Sequence, residues 1–281
     1  IVLSQFCCTS LWFAGNGVIN DLVLNFNLDE SALSHLTSSV QFGFIIGTLV
    51  FAILTIADRF SPSKVFLICA MLGAFFNLGV ILEGNSLASL LSFRFLIGFF
   101  LAGIYPVGMK IASDYYKKGL GKSLGFLVGA LVVGTAFPHL LKEITDEHLW
   151  KSVLVTTSLL AVFGGLLMRF MVPDGPYRKP SQQLDLSAFF SVFQYREFRS
   201  AAFGYFGHMW ELYAFWAFVP ILLKTYINSH DEAAFNIPFW SFLIIGIGGL
   251  ACVLSGFIAQ KIGAKRTAFM ALLLSCGCCL I

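Results

Sequence analysis

Long apolar runs separated by short polar connections make up almost the whole chain. A helix that crosses a bilayer needs about 20 mostly apolar residues. That rule predicts spans near 2–24, 36–57, 65–83, 87–113, 121–141, 149–172, 200–223, 238–259 and from 267 onward. The connections alternate in charge. Those after the first, third, fifth and seventh spans hold Asp29, Glu30, Glu83, Glu143, Asp146, Glu147, Asp231 and Glu232, with only Lys142, Lys151 and Lys224 as basic residues. The even connections and their helix ends hold Arg59, Lys64, Lys117, Lys118, Lys122, Arg169, Arg178, Lys179, Arg196, Arg199, Lys261, Lys265 and Arg266. Basic residues collect on the cytoplasmic side of a membrane, so the even connections are expected to face the cytoplasm. The alternation also supports the number of spans, because a missed helix would scramble it.

The longest connection follows six spans and opens on Pro173, Asp174, Gly175 and Pro176, a sequence that stops a helix. Its second part sets Leu186, Phe189, Phe190 and Phe193 against Asp185, Gln194, Arg196 and Arg199, the pattern of a helix lying on the inner membrane surface. The expected division is a six-helix bundle over 1–172, an interdomain connection over 173–199 and the opening of a second bundle over 200–281. The chain starts without Met inside one apolar run and stops inside another, so both ends are expected to be cut. No targeting segment is legible.

Composition agrees with the pattern. With 58% hydrophobic residues, 12% charged residues and a mean hydropathy of +0.83, the chain cannot hide its apolar surface as a soluble domain. A net charge of +3 in scattered clusters forms no basic patch, so nucleic acid is not an expected partner. Cys7, Cys8, Cys69, Cys252, Cys276, Cys278 and Cys279 all lie in apolar runs, where a thiol acts as a small hydrophobe. Zinc-type spacings are absent from the sequence, and no metal or cofactor is expected.

A polar punctuation mark recurs after two apolar spans 202 residues apart. Gly47, Asp58, Arg59 and Lys64 align with Gly249, Gln260, Lys261 and Arg266. Each lies between two spans, as in a duplicated membrane unit. The loop resembles the GxxxDRxGRxxx motif of the major facilitator superfamily, whose members carry twelve helices in two six-helix bundles. The first copy has Asp58, Arg59 and Lys64 but Leu54 and Ser61 where the motif has glycines. The second has Gly256, Gly263, Lys265 and Arg266 but Gln260 in place of the acid. The run from Arg94 to Lys110 in the fourth span is similar to that family's Arg and Gly motif. The resemblance implies an all-α membrane bundle and makes Asp58, Arg59, Lys64, Gln260, Lys261, Gly263 and Arg266 a gating loop. It also implies that Asp58 finds its partner in an eleventh helix, outside this chain.

Ionisable and amide side chains within spans are the candidate site, because each is costly in a membrane. Arg94 lies about seven residues into its span, roughly 10 Å deep. It either snorkels to the outer headgroups or offers a fixed cation to the cavity, with Tyr105 on the same face. Glu211 lies near the middle of the seventh span with His208 three residues earlier, suited to proton exchange or to satisfying each other between helices. Trp12, Asn16 and Asn20 share a face at four-residue spacing, either for a polar solute or for helix packing. Trp210, Tyr213 and Trp216 fit a cavity lining or a packing belt. Lys110 is expected to snorkel at the inner end, unless the adjacent Pro106 and Gly108 turn it. Gly98, Gly103, Gly125, Gly129 and Gly134 are expected to serve helix packing and bending.

The GKSLG run over 121–125, with Gly119 before it, mimics hydrolase and phosphate-loop motifs. It opens a membrane helix with no preceding strand, and Tyr116 stands where the phosphate loop needs glycine. No set of nucleophile, base and metal ligands emerges, so an enzyme is not expected. The expected function is alternating-access transport of a small polar or anionic solute, with the proton as the coupling ion. The protein is expected to act as a monomer in a plasma or bacterial inner membrane. Two alternatives stand beside this: a non-transporting receptor on the same fold, and a drug-efflux member of the superfamily.

Overall fold

The computed structural model describes residues 1–29, 31–116, 119–145, 149–178, 191–230 and 235–280. Glu30, Lys117, Lys118, Asp146, Glu147, Lys179, Asp231 and Glu232 lie outside the described residues. So does most of the expected surface helix, including Asp185, Leu186, Phe189 and Phe190. Its last residues, Arg196 and Arg199, fall in the first turn of the helix that forms the seventh span.

Every described regular element is helical, as a bilayer requires of chain that must satisfy its own backbone. The first span consists of three pieces, α1 (Val2–Thr9), α2 (Ala14–Gly17) and α3 (Ile19–Asn25). Then come α4 (Ala32–Ile53), the single turn α5 (Ile56–Arg59) and α6 (Pro62–Gly79). The fourth span is α7 (Leu87–Leu101) and α8 (Tyr105–Ser113), divided by a turn at 102–104. After it come α9 (Leu120–Ile144), α10 (Trp150–Met171), α11 (Arg196–Ser229), α12 (Ile237–Ile262) and α13 (Ala264–Cys279). Seven helices are long and apolar enough to cross a membrane, with α7 and α8 counted together. The first span misses that standard because it is broken, and α13 because it is short.

Local chemistry sets several starts. Ser86 and Ser89 form a reciprocal capping box at the head of α7. Asn236 accepts the Phe239 N–H at 3.0 Å, with Pro238 in the first turn of α12. The first span is the core of the bundle, because α1 packs on both α9 and α10. Leu11, Trp12, Phe13 and Ala14 are fully buried there. Around them α4 packs on α7, α6 on α10, and α9 along α12. Outward residues such as Phe42, Ile45, Leu49 and Leu250 are exposed and apolar, the surface that lipid covers.

The two copies of the polar loop have diverged in backbone as well as in sequence. Thr55 adopts φ +48°, a left-handed conformation that a β-branched residue rarely takes, and it ends α4 before the loop. At the equivalent place in the second copy α12 runs on unbroken to Ile262. It then turns at Gly263, whose φ of +90° requires glycine. Ser61, the counterpart of Gly263, sits at φ −62° and needs no glycine.

Candidate functional site

The break in the first span creates the chemistry at the centre of the bundle. Residues 10–13 leave the helix, so the carbonyls of Leu11 and Trp12 lose the partners that a continuous helix would supply. Arg94, on α7, fills that gap. Its Nη2 donates to Trp12 O at 2.8 Å and to Asn16 Oδ1 at 3.1 Å, and its Nη1 reaches Leu11 O at 3.5 Å. Asn16 in turn donates to Thr37 Oγ1 on α4 at 2.7 Å. Arg94 is 1% exposed. Among the described residues no carboxylate pairs with it, although buried charge is normally neutralised. Its Nε and the indole Nε1 of Trp12 are buried without acceptors.

Trp12, whose carbonyl Arg94 holds, is also the centre of a group of four aromatic rings. Trp12 lies 4.6 Å from Phe44, 6.4 Å from Tyr105 and 5.6 Å from Tyr213, measured between ring centroids. Tyr213 meets Trp216 edge to face, and Trp216 meets Phe13. Residues of the first, second, fourth and seventh spans therefore come together at one level. Trp12, Asn16, Arg94, Tyr105, Tyr213 and Trp216 are all part of this cluster. Arg94 turns inward to the helix break and does not snorkel outward.

Other expected members lie elsewhere. Asn20 is exposed, because breaks at 10–13 and at Val18 destroy the four-residue periodicity that put it on one face with Trp12. Trp210 is 82% exposed and stands outside the cluster. Glu211 also points away. It accepts a hydrogen bond from Ser275 on α13, and Cys279 Sγ lies 3.8 Å away. His208 Nδ1 stands 3.8 Å from Glu211 Oε2, beyond hydrogen-bond reach. The pair is thus apart from Arg94, which does not act as its counter-charge in this arrangement.

A second cluster gathers at the end of the bundle that carries the even connections. Asp58, expected to await an eleventh helix, pairs with Lys110 Nζ at 2.8 Å. Lys110 stands on α8, beyond the turn at 102–104. The start of the long connection straps across both. Arg178 donates to Asp174 at 2.7 Å, to Phe60 O at 2.8 Å and to Asp58 O at 3.4 Å. Ser61 donates to Asp174 at 2.9 Å, and Tyr115 hydroxyl donates to Pro173 O. Tyr177 N–H donates to Asp114 O at 3.0 Å, where a Cβ on Gly175 would come within 2.5 Å of that oxygen. Lys110, Asp114, Asp174 and Arg178 carry this strap. Their partners are distant in sequence, and Pro-Asp-Gly-Pro was the only local signal. Arg59 and Lys64 are exposed and form no ion pair among the described residues, nor do Gln260, Lys261 and Arg266.

Asp114 sits at the C-terminal end of α8, where the helix dipole disfavours an anion, and is 7% exposed. Burial raises its carboxyl above the ordinary 3.8, opposed by Lys110 and Arg178 and reinforced by Asp58 and Asp174. A carboxyl with a raised folded pKa destabilises the fold when charged, and that penalty disappears as pH falls through the raised value. Asp114→Asn is therefore expected to raise the thermal midpoint at pH 7 and to flatten its decline between the carboxylate range and neutrality. A lower midpoint at pH 7 in a thermal-shift pH series would contradict this.

A family model described as Major Facilitator Superfamily matches residues 1–281. No curated protein matches the chain.

Proposed function

This chain belongs to the Major Facilitator Superfamily, and we propose that it moves a small polar or anionic solute across a membrane by alternating access, with proton coupling. The superfamily membership makes it a multi-pass membrane protein of a secondary-transporter family. The reading of the solute rests on one observation: a fully buried guanidinium with no carboxylate partner among the described residues, bonded to the backbone of Trp12, whose ring packs on aromatic rings of spans 2, 4 and 7. A cation held away from water calls for an anion. A permanent positive charge at that level disfavours the lipophilic cations that drug-efflux proteins carry.

In this proposal Arg94 binds the solute, in a cavity framed by Trp12, Asn16, Tyr105, Tyr213 and Trp216. The strap around Asp58 holds the cytoplasmic ends of spans 2 and 4, and the even connections face the cytoplasm. Glu211, an acid in the middle of α11 bonded to Ser275, carries the proton. The separation from Arg94 means that coupling runs through movement of α11, which bears Tyr213 and Trp216 on its other face.

The test is uptake of a panel of small anions by the whole protein in proteoliposomes under an imposed pH gradient. Saturable uptake driven by the gradient is expected. Glu211→Gln should abolish the gradient's effect while leaving exchange of anion for anion, and full proton-driven uptake in that variant would remove Glu211 from the mechanism. Binding without flux would instead favour a receptor on the transporter fold.

A further inference from the structure

The acceptors around Arg94 are all neutral, and two of them lie in the break of the first span. Leu11 O and Trp12 O belong to the turn that interrupts the first span, and Asn16 Oδ1 belongs to the next helical piece. What remains unpartnered beside them is of one kind only: the Nε of Arg94 and the indole N–H of Trp12, both donors. An orphan donor on a buried cation fits an acceptor-only ligand, which is an anion. Trp12 has a second attachment. Its ring stacks on Tyr213 with an interplanar angle of 29°, joining the first span to the seventh. One residue outside regular helix thus holds the cation through its carbonyl and the seventh span through its ring.

We infer that the carbonyls of the helix break stand in for the transported anion, and that an anion taking Arg94 displaces Trp12 from both the guanidinium and Tyr213. This inference rests on the anion reading given above. The Trp12–Tyr213 contact is then a gate that the substrate opens, because the carbonyl and the anion compete for the same Nη2 donor. When the anion leaves, the carbonyl returns and the stack reforms. The emptied site never presents a bare buried charge.

The consequence is a sign. A ring that only lines a site loses affinity when removed, whereas a contact that must break before binding costs affinity while present. An aromatic pair contributes enough that its removal should tighten binding roughly two- to tenfold. The protein has 5 tryptophans, so a version with Trp12 alone kept and the others changed to Phe reports on the gate directly. Lactate, succinate and inorganic phosphate are each titrated against its emission.

The expected result is a saturable emission change with at least one of these anions. Tyr213→Leu should lower the half-saturation concentration, Tyr213→Phe should restore it, and Arg94→Gln should abolish the change. A weaker half-saturation in Tyr213→Leu makes the ring a ligand contact and overturns the gate. So does an unaltered one. Anion uptake by the unmodified protein without any Trp12 response also overturns it. Absence of both uptake and response overturns the anion reading itself. Uptake kinetics of Tyr213→Leu in the five-tryptophan protein give the same sign independently if the single-tryptophan version does not fold.

Discussion

Arg94→Ala is expected to raise the half-saturation concentration for anion uptake by about tenfold to a hundredfold, since hydrogen bonds to a charged group contribute roughly 1.5–3 kcal/mol. Its effect on stability should be much smaller. The substitution strips Leu11 O, Trp12 O and Asn16 Oδ1 of their donor, and each buried orphan costs about 1–3 kcal/mol. It also removes an unneutralised charge from the membrane interior, whose desolvation costs several kcal/mol. The two terms oppose each other, so the variant should fold. Arg94→Lys keeps the charge but not the fork that reaches three acceptors around one turn, and it should recover only part of the affinity. The measurement is initial uptake rate against anion concentration, paired with a thermal-shift control. A folded Arg94→Ala protein with unchanged half-saturation would end the case for an anion at this site.

Hydropathy and charge carried the overall architecture well, because a bilayer allows few solutions to the backbone's hydrogen bonds. The spans drawn from apolar length lie within a few residues of α4, α6, α9, α10 and α12. The interruption of the first span was not legible. Ser10, Leu11, Trp12 and Phe13 include no glycine or proline, and the break is sustained by a guanidinium more than eighty positions away. The face assigned to Asn20 failed for that reason. The pairing of Asp58 with Lys110 was not legible either, because the two lie on different helices with the turn at 102–104 between Lys110 and the start of its span; the partner that the resemblance implies lies in a helix outside this chain. Glu211 and His208 were correctly seen as neighbours, but periodicity alone does not say which neighbouring helix a face meets, and here it is α13. Local pattern therefore gave the helices, and tertiary contacts decided where they bend and which side chains converge.

The same α7 that supplies Arg94 lies against α4 with almost no room, and Gly98→Ala is expected to be the most destabilising of these changes. A Cβ at Gly98 would overlap the carbonyl oxygen of Val40, and one at Gly43 would overlap that of Phe95. The two glycines sit opposite each other's backbone, with Gly47 against Phe99 and Ala102 extending the same seam. Backbone cannot swing aside as a long side chain can, so α7 must retreat by more than about 1 Å to regain van der Waals distance. That retreat strains the Ser39 Oγ bond to Leu91 O, now 2.7 Å. Overpacking of this kind costs about 1–3 kcal/mol or more, which corresponds to a fall of roughly 2–12 °C in thermal midpoint. Gly121→Ala is the control, because nothing lies within 4 Å of its added Cβ and it sits within α9. It should be neutral or gain up to about 1 kcal/mol from helix propensity. Moving α7 also draws Arg94 from the helix break, so Gly98→Ala should lose uptake beyond what its reduced stability explains at a temperature where it stays folded. Equal midpoints for Gly98→Ala and Gly121→Ala would show that the seam has slack, and that Arg94 is held in place by something other than this packing.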